Sequence, residues 1–414
     1  QKAVDKLLFH LLQTMQKNEG CCKRLAVLTH NQFSEQAEDH EKQGLRIVGA
    51  STMFGFLNTG RMELEEVPIA LIDTQTVMDD EDVLKDVSSE LFRLESFGKN
   101  TVRLSYPLPQ QQIQCYNKKD MRPHGRYVYR WLQANKYEEA ADCDWKVPND
   151  GIIAITGGNG ALGLVFARWL LTKAKEQVEH SGGEYQPSFE IQCLSRSAKV
   201  ADNNIFLWEE VQQQAKALGV KVMQGKVDLS SQEAVDAFVR SVSPDLVGFI
   251  HSAGVLQDGM LMGQTWQKFE TVYASKHWSA LYLHDALERI PNPKLHFMWL
   301  FSSIAAYGSP GQINYSASNS CLDGLARHRT ALGKPGVAMH WGPWGEVGMA
   351  AGLDAAIVDR FNKGPMPLFS VAQGLNGLER GLRTGLPEFS VFLINFLPLL
   401  EDGKLPGNGN TFLR

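Results

Sequence analysis

The chain has 414 residues, of which 43% are hydrophobic and 21% charged, and its net charge is −5. A chain of this length can bury a large core without disulfides, and its length favours two domains or one large one. Positive and negative residues are interspersed, which argues against a nucleic-acid partner. No apolar stretch approaches the length of about 18 residues that a membrane span needs, and no signal peptide is visible. We therefore expect a cytoplasmic protein with no membrane partner.

Six cysteines lie at positions 21, 22, 115, 143, 193 and 321, and none has the CxxC spacing of a metal or redox site. We therefore expect reduced thiols and no bound metal. The chain begins with Gln1 and ends in a Gly/Asn-rich tail, so we interpret it as a segment of a longer polypeptide.

The first 148 residues have the pattern of alternating helices and strands. Apolar periodicity predicts helices over 4–16, 82–94 and part of 47–64, and strands over 24–29, 67–72 and 100–106. The segment 107–123 is rich in Gln, Pro and Lys and is predicted to be a loop. No glycine-rich phosphate loop occurs in this half, which we interpret as a truncated Rossmann-like domain without a cofactor site.

The pattern changes at Gly151, so we divide the chain into domains 1–148 and 149–414. Strands are predicted over 189–194, 221–227, 246–251, 295–302 and 337–341, after a first strand that begins at Gly151. Helical patterns lie between them, and this alternation is typical of a parallel, doubly wound sheet. The predicted fold class is α/β, with two Rossmann-like doubly wound parallel sheets, the first truncated and without cofactor.

A glycine-rich turn follows the first strand of the second domain. Gly158, Gly160 and Gly163 form a GxGxxG pattern between that strand and an apolar helix. Glycines allow the backbone to approach a pyrophosphate, and the amides at the helix N-terminus point at it. We predict dinucleotide binding, with a purely structural turn as the alternative. The predicted contacts in this turn are Thr156, Gly157, Gly158, Asn159, Gly160, Leu162 and Gly163.

The ends of the next three strands supply further predicted cofactor contacts. An NAD-preferring site usually has an acidic residue after the second strand. Here Ser195 and Arg196 offer a hydroxyl and a guanidinium, which suit the 2′-phosphate of NADP, so we predict NADPH. The alternative is that Arg196 is an ordinary surface arginine. The remaining predicted contacts are Val227 and Asp228 near the adenine, and His251, Ser252, Ala253 and Gly254 near the nicotinamide ribose. We assign no chemical role to His251.

The candidate catalytic residues lie around the fifth predicted strand, which ends in Ser302 and Ser303. Tyr315 and Asn319 follow on a predicted helix, where a spacing of four residues places them on one face. Lys276 lies on an earlier predicted helix.

With these residues the chain resembles the ketoreductases of the short-chain dehydrogenase type, in the branch found in polyketide synthases and animal-type fatty acid synthases. In ordinary short-chain dehydrogenases the lysine follows the tyrosine by four residues. In the synthase branch the lysine and asparagine exchange places, as Lys276 and Asn319 do here. The segment 341–350 resembles the entry to the synthase lid, and 49–73 resembles the structural subdomain that precedes these reductases.

The resemblance implies reduction of a β-ketoacyl group on the phosphopantetheine arm of an acyl carrier protein, among neighbouring synthase domains. NADPH would carry the hydride. Tyr315 would donate the proton, with Lys276 making the phenol a better acid, and both would contact the nicotinamide ribose. Serine would stabilise the developing oxyanion, and Asn319 would hold a relay water and Lys276.

The position of the catalytic serine departs from the family pattern. It is usually the second serine of the pair and lies thirteen residues before the tyrosine, whereas here Ser302 is thirteen before Tyr315 and Ser303 is twelve. We favour Ser303, because a loop absorbs a deletion more easily than a strand end. Either serine could simply cap the strand.

The segment Leu256-Gln257-Asp258 resembles the Leu-Asp-Asp signature of B-type ketoreductases, which form the D-hydroxyl, although its middle residue is Gln257. No tryptophan lies in the loop before Tyr315, so we predict the B-type product. The alternative is that Asp258 caps the helix that follows. The other predicted substrate contacts are Ser302, Trp344 and Met349.

The segment 345–366, rich in Gly, Ala and Met from Met349 onward, is predicted to form a lid, with a core helix and loop as the alternative. Three functions remain open: a carrier-dependent reductase of a polyketide or fatty acid synthase, a stand-alone short-chain dehydrogenase, and a non-catalytic scaffolding module. The first 148 residues argue against the second. The retained Tyr315, Lys276, Asn319 and glycines argue against the third.

Overall fold

The computed structural model describes residues 1–74, 81–92, 101–105, 125–128, 144–348, 352 and 354–395. Within these residues the strands form two separate sheets, one in each half of the chain. The predicted loop 107–123 lies outside the described residues.

The first half contains a four-stranded sheet. Its elements are α1 (Lys2–Lys17), β1 (Leu25–His30), α2 (Ala37–Gln43), α3 (Leu45–Glu63), β2 (Ile69–Thr74), α4 (Glu81–Phe92), β3 (Thr101–Ser105) and β4 (Gly125–Val128). The sheet order is β1–β2–β3–β4, and the first three strands are parallel, as predicted. β4 pairs antiparallel with β3, and no pattern in the sequence predicted it. The helix predicted for part of 47–64 continues through the whole of α3.

The second half contains a seven-stranded parallel sheet, which confirms the predicted fold class. Its elements are β5 (Ile152–Thr156), α5 (Ala161–His180), β6 (Glu190–Ser195), α6 (Ile205–Leu218), β7 (Lys221–Lys226), α7 (Gln232–Val242), β8 (Leu246–His251), α8 (Trp266–Tyr273), α9 (Ser279–Arg289), β9 (Phe297–Ser303), α10 (Ile313–Ala331), β10 (Val337–Trp341), α11 (Ala355–Lys363), α12 (Val371–Arg383) and β11 (Glu388–Val391). The order is β11–β10–β9–β8–β5–β6–β7. Successive strands are added on one side of β5 up to β7, and from β8 onward they are added on its other side. In such sheets, ligands bind at the carboxyl ends of the strands where the order reverses, which here is between β5 and β8.

The core of the second half extends to residues before the predicted boundary. Trp145 stacks on Trp169 with ring centroids 5.5 Å apart, and Val147 is buried in the same core. Trp145 and Val147, which precede the predicted boundary, therefore pack with the second half. None of the described helices is long and apolar enough to cross a membrane.

The two halves pack through α3 and α10, whose facing sides carry small residues. Gly55 of α3 lies against Ser316 of α10, and Gly324 of α10 lies against Ser51 of α3. The Thr59 hydroxyl also donates a hydrogen bond to Oγ of Ser316, at 2.8 Å. Because small side chains let two helices approach closely, the first half sets the position of the helix that carries the candidate tyrosine.

Candidate active site

The turn between β5 and α5 has no room for side chains at two of its glycines. A Cβ on Gly158 would lie 2.6 Å from the Cα of Cys193, and one on Gly163 would lie 2.6 Å from the carbonyl oxygen of Gly157. Gly157 has a φ of +66°, which other residues rarely adopt. α5 begins directly after the turn, so its free amides face it. The turn therefore has the shape and polarity of a pyrophosphate cradle.

Side chains tie this turn to the end of β6. Nδ2 of Asn159 donates to Oγ of Ser195 at 2.7 Å, and Ser195 also accepts a bond from the Ala198 amide at 3.0 Å. Gly160 precedes the first residue of α5, and Leu162 packs against the core. Oδ1 of Asn159 is buried without a hydrogen-bond partner among the described residues, so it remains able to accept a bond from a ligand.

Arg196 and Asp228 form the outer edge of the site, after β6 and β7. Both side chains are exposed. The Ser230 hydroxyl and amide donate to Oδ1 of Asp228 at 2.7 and 3.0 Å, and these bonds, with the Arg196 charge, lower the pKa of Asp228. The Val227 amide donates to the Ser195 carbonyl. An accessible guanidinium therefore lies just after the carboxyl end of β6.

His251 is a structural residue at the end of β8. Its ring nitrogens lie 2.8 Å from Oγ1 of Thr156 and 3.1 Å from the carbonyl oxygen of Lys276. Burial lowers the pKa of His251 to about 4, so the imidazole is neutral at neutral pH. The ring therefore joins β5 to the backbone of Lys276. The neighbouring Ser252 and Ala253 also bond to Thr156, through its carbonyl and hydroxyl oxygens.

Lys276 and Tyr315, distant in sequence, meet in the structure. Lys276 lies in a π-helical turn, Ala274–Trp278, between α8 and α9, and only 3% of it is exposed. Its Nζ donates to the carbonyl oxygen of Phe301 at 2.6 Å and lies 5.0 Å from the centre of the Tyr315 ring. A Cβ on Gly254 would be 3.6 Å from the same Nζ. A buried cation thus lies beside the phenol, next to the predicted ribose contact.

Asn319 lies one turn after Tyr315 on α10. Its Nδ2 donates to the Tyr315 carbonyl oxygen at 2.8 Å, and its buried Oδ1 has no partner among the described residues. Ser302 is 2% exposed, and its hydroxyl donates to the Asn319 carbonyl at 3.4 Å. Asn319 is therefore placed to accept a hydrogen bond beside the candidate tyrosine.

Ser303 is the last residue of β9 and is half-buried, unlike Ser302. Its hydroxyl donates to the Trp341 carbonyl at 3.3 Å and accepts a bond from the Ala305 amide at 3.2 Å. These long hydrogen bonds cap the end of β9, which is the alternative, structural role expected for this serine. Its greater exposure and its place at the carboxyl end of β9 also leave it the more accessible of the two hydroxyls.

The segment with Gln257 and Asp258 is joined to the residues just before Tyr315. Nε2 of Gln312 donates to Oδ2 of Asp258 at 3.0 Å, and Nδ2 of Asn314 donates to the Gln257 carbonyl at 2.9 Å. Sequence reasoning missed Gln312 and Asn314, although their closeness to the tyrosine in sequence was a usable signal. The described contact of Gln257 here is through its main chain.

Two further predicted substrate contacts remain, Trp344 and Met349. Trp344 is 5% exposed and packs in the core, with ring centroids 4.9 Å from Trp341 and 4.8 Å from Phe369. This packing is sufficient to explain why a tryptophan occupies position 344, even if it does not contact substrate. Met349 lies outside the described residues.

In the predicted lid, α11 has no buried residue and exposes Ile357 and Phe361.

A separate cluster of titratable groups joins α10, β10 and β11. Nε2 of His340 lies 2.8 Å from Oδ1 of Asp323, and Arg327 pairs with Glu388 at 2.7 Å. Burial disfavours the charged imidazole, but the Asp323 carboxylate more than offsets this and raises the pKa of His340. Asp323, His340 and Glu388 could together reach a metal ion, although the Arg327 cation already neutralises one of them.

Residues 151–346 match the protein family described as KR domain. The polyketide synthase GfsA of Streptomyces halstedii is 34% identical over 244 residues, which are 58% of this chain and 3% of that protein. The phenolphthiocerol synthesis polyketide synthase type I Pks15/1 of Mycobacterium marinum is 34% identical over 257 residues, 61% of this chain and 11% of that protein. The chain thus spans a small part of the length of these curated relatives.

Solved structures share the fold over nearly the whole chain. An A1-type ketoreductase aligns with a TM-score of 0.74 and 22% identity, covering 98% of this chain and 76% of that one. A C2-type ketoreductase from a modular polyketide synthase aligns with a TM-score of 0.69 and 20% identity, covering 98% and 77%. At such low identity these likenesses establish the fold of both halves.

Proposed function

We propose that this chain reduces a β-ketoacyl thioester on an acyl carrier protein to the β-hydroxyacyl thioester, with NADPH. The match of residues 151–346 to the KR domain family supports this proposal. The observation that carries the proposal is the buried ammonium of Lys276, 5.0 Å from the centre of the Tyr315 ring. Burying a charged lysine costs free energy, and only 3% of Lys276 is exposed. Assistance to a proton donor would explain why the protein keeps a lysine at this position.

The residues around the glycine turn fit a dinucleotide. The turn at Gly158 and Gly163 would receive the pyrophosphate, since any side chain there would fill the cradle. Arg196 would pair with the 2′-phosphate, and Asp228 would border the adenine. Gly254 and the Lys276 ammonium would border the nicotinamide ribose. When bound, the cofactor supplies a hydride to the carbonyl carbon.

The proton that completes the reduction comes from Tyr315 in this proposal. Its hydroxyl donates to the ketone oxygen as negative charge develops there, and the Lys276 cation stabilises the phenolate that remains. Ser303 donates a second hydrogen bond to the same oxygen. Asn319 holds the turn of α10 that carries the tyrosine and offers its free Oδ1 to a relay water.

The partners and the stereochemistry follow from the same proposal. The substrate arrives on the phosphopantetheine arm of an acyl carrier protein, and neighbouring synthase domains make and consume it. Asp258, held by Gln312, borders the substrate, and the resemblance of its segment to the B-type signature favours the D-hydroxyl product. Chiral analysis showing the L-hydroxyl would contradict this last point.

The test measures NADPH oxidation with a β-ketoacyl thioester by the whole chain and by Tyr315→Phe. We expect turnover by the wild type and a loss of about 100-fold or more in the variant, since general acid catalysis contributes about that much. NADPH binding, followed by fluorescence, should be similar in both. Absence of wild-type turnover despite NADPH binding would favour a non-catalytic scaffolding module. Absence of NADPH binding would overturn the proposed cofactor site.

A further inference from the structure

The carboxylate of Glu63, at the end of α3, contacts two loops of the other half of the protein. Its side chain is buried, with 9% exposed. Oε1 accepts a hydrogen bond from the Gly311 amide at 2.9 Å, and Oε2 accepts one from the Leu261 amide. One carboxylate of the first half therefore satisfies a backbone amide in each of two separate loops.

These two loops border the candidate active site. The loop with Leu261 follows β8 and carries Asp258. The other loop follows β9 and leads into α10, and its Gly311 lies four residues before Tyr315. They also bond to each other, because the Gly259 amide donates to the Gly311 carbonyl oxygen at 2.8 Å. A shift of either loop would change the position of Asp258 relative to Tyr315.

A second side chain of the first half supports the same loop. Nε2 of Gln13 in α1 donates to the carbonyl oxygens of Leu261 and Gln264, at 2.9 and 3.1 Å. Both backbone polar groups of Leu261 are thus held by the first half, the amide by Glu63 and the carbonyl by Gln13. Gln13 does not contact the loop with Gly311 through these bonds, so Glu63 alone of this pair joins the two loops.

We propose that Glu63 is a positioning residue for the ketone reduction. It holds the 257–264 and 308–312 loops together, so that Asp258 and Tyr315 contact the same substrate molecule. This inference rests on the proposed function. A carboxylate suits the role because it only accepts hydrogen bonds and can receive two amides at once. Glutamine at this position would turn an NH₂ group towards one of the two amides and lose that bond.

The test compares Glu63→Gln with the wild type and with Glu66→Gln, a matched control on an exposed glutamate just after α3. Hydrogen exchange of peptides covering 257–264 and 308–312 is measured first, because it does not depend on activity. Bonds to a charged group are strong enough that we expect at least about tenfold faster exchange in the loop whose amide faces the NH₂ group of Glu63→Gln, and no change in Glu66→Gln.

Kinetics then test the positioning role. In Glu63→Gln we expect the KM for the β-ketoacyl thioester to rise several-fold and the proportion of the minor alcohol stereoisomer to increase, while the Kd for NADPH stays the same. Gln13→Met removes the donor to the Leu261 and Gln264 carbonyls without adding a charge, and we expect faster exchange in 257–264 but not in 308–312.

The outcomes separate the two proposals. Wild-type exchange and wild-type KM in a folded Glu63→Gln protein would overturn the role of Glu63, whatever the reaction. A wild-type chain without reductase activity would instead overturn the proposed function, while the exchange measurement would still decide whether Glu63 joins the loops. If Glu63→Gln does not fold, Glu63→Asp keeps the charge on a shorter side chain. It should release one amide and accelerate exchange in one loop, and unchanged exchange in both loops would overturn the role.

Discussion

Gly55 of α3 lies directly against the backbone of Ser316 of α10, so the two halves of the protein are in close contact there. A Cβ on Gly55 would overlap the carbonyl oxygen of Ser316. The contact explains why a glycine, which is a poor helix former, lies within the long helix α3.

Gly55→Ala should destabilise the protein although alanine favours helices. The helix preference would contribute about 1 kcal/mol, but the severe overlap with a backbone atom should cost about 2–3 kcal/mol and force α3 away from α10. Chemical denaturation measures the difference. Gly60→Ala in the same helix is the control, because its Cβ would meet only the side chain of Leu12 at 3.2 Å and the side chain of Ile69. A Gly55→Ala protein more stable than the wild type would contradict the close contact.

Lys276→Met should lower kcat by about 100-fold, because it removes the cation beside Tyr315 and leaves a side chain of similar length. It should also raise the KM for NADPH, since the proposed ribose contact is lost. Steady-state kinetics measure both constants, and circular dichroism checks the fold. Lys216→Met, on the exposed surface of α6, is the control. Unchanged kcat in Lys276→Met would remove Lys276 from the proposed mechanism.

The two serines at the end of β9 should respond differently to alanine. We expect Ser303→Ala to reduce kcat by at least about tenfold, because it removes the proposed hydrogen bond to the ketone oxygen. Ser302→Ala should leave kcat nearly unchanged, because that hydroxyl is buried and donates to the Asn319 carbonyl. The reverse result in the same kinetic assay would assign the catalytic role to Ser302 and show that the loop length, rather than the strand end, determines the position.

Arg196→Gln should weaken selection of NADPH over NADH. The guanidinium is exposed after β6, and loss of a charged bond to phosphate should raise the KM for NADPH by about ten- to 100-fold while the KM for NADH changes little. The measurement is the ratio of kcat/KM for the two cofactors. Lys199→Gln, an exposed neighbour, should leave the ratio unchanged. Equal losses with both cofactors would contradict a specific 2′-phosphate contact.

His251 should make the protein less stable in acid. Burial lowers its pKa from 6.5 to about 4, so between these values the unfolded chain binds a proton that the folded protein does not. The stabilisation is complete above pH 6.5 and is lost as the pH falls towards 4, and its size is on the order of 3 kcal/mol.

Urea denaturation across this pH range tests the effect. His251→Asn should be less stable than the wild type at pH 7.5, because bonds to Thr156 and Lys276 are lost, but its stability should fall less steeply towards pH 4. The exposed His180→Asn should have the wild-type profile. Parallel profiles for His251→Asn and the wild type would show that His251 does not cause the acid dependence.

The sequence was sufficient to predict most of the elements that form the site. Strands such as Leu246–His251 are continuous apolar runs because they are buried on both faces, and this pattern is local. The GxGxxG turn was predicted correctly for the same reason. Gly158 and Gly163 are required by contacts within a single strand–turn–helix unit, so the signal lies within a few residues.

Contacts between distant residues could not be predicted in this way. Glu63 and Leu261 are 198 positions apart, and nothing near Glu63 in sequence distinguishes it from the exposed Glu65 and Glu66. The antiparallel strand Gly125–Val128 has only four residues, too few for a clear alternation. The packing of the Trp344 indole between Trp341 and Phe369 could not be predicted either, because sequence similarity does not show which way an indole points.

The contact between α3 and α10 has a consequence for engineering. Replacing only residues 149–414 with the corresponding part of a related protein would put a foreign α10 against this α3. Any larger residue at the position of Gly324 would then collide with Ser51. The smallest interchangeable part of this protein is therefore both halves together, and hybrids joined between them should misfold unless the partner's small residues match.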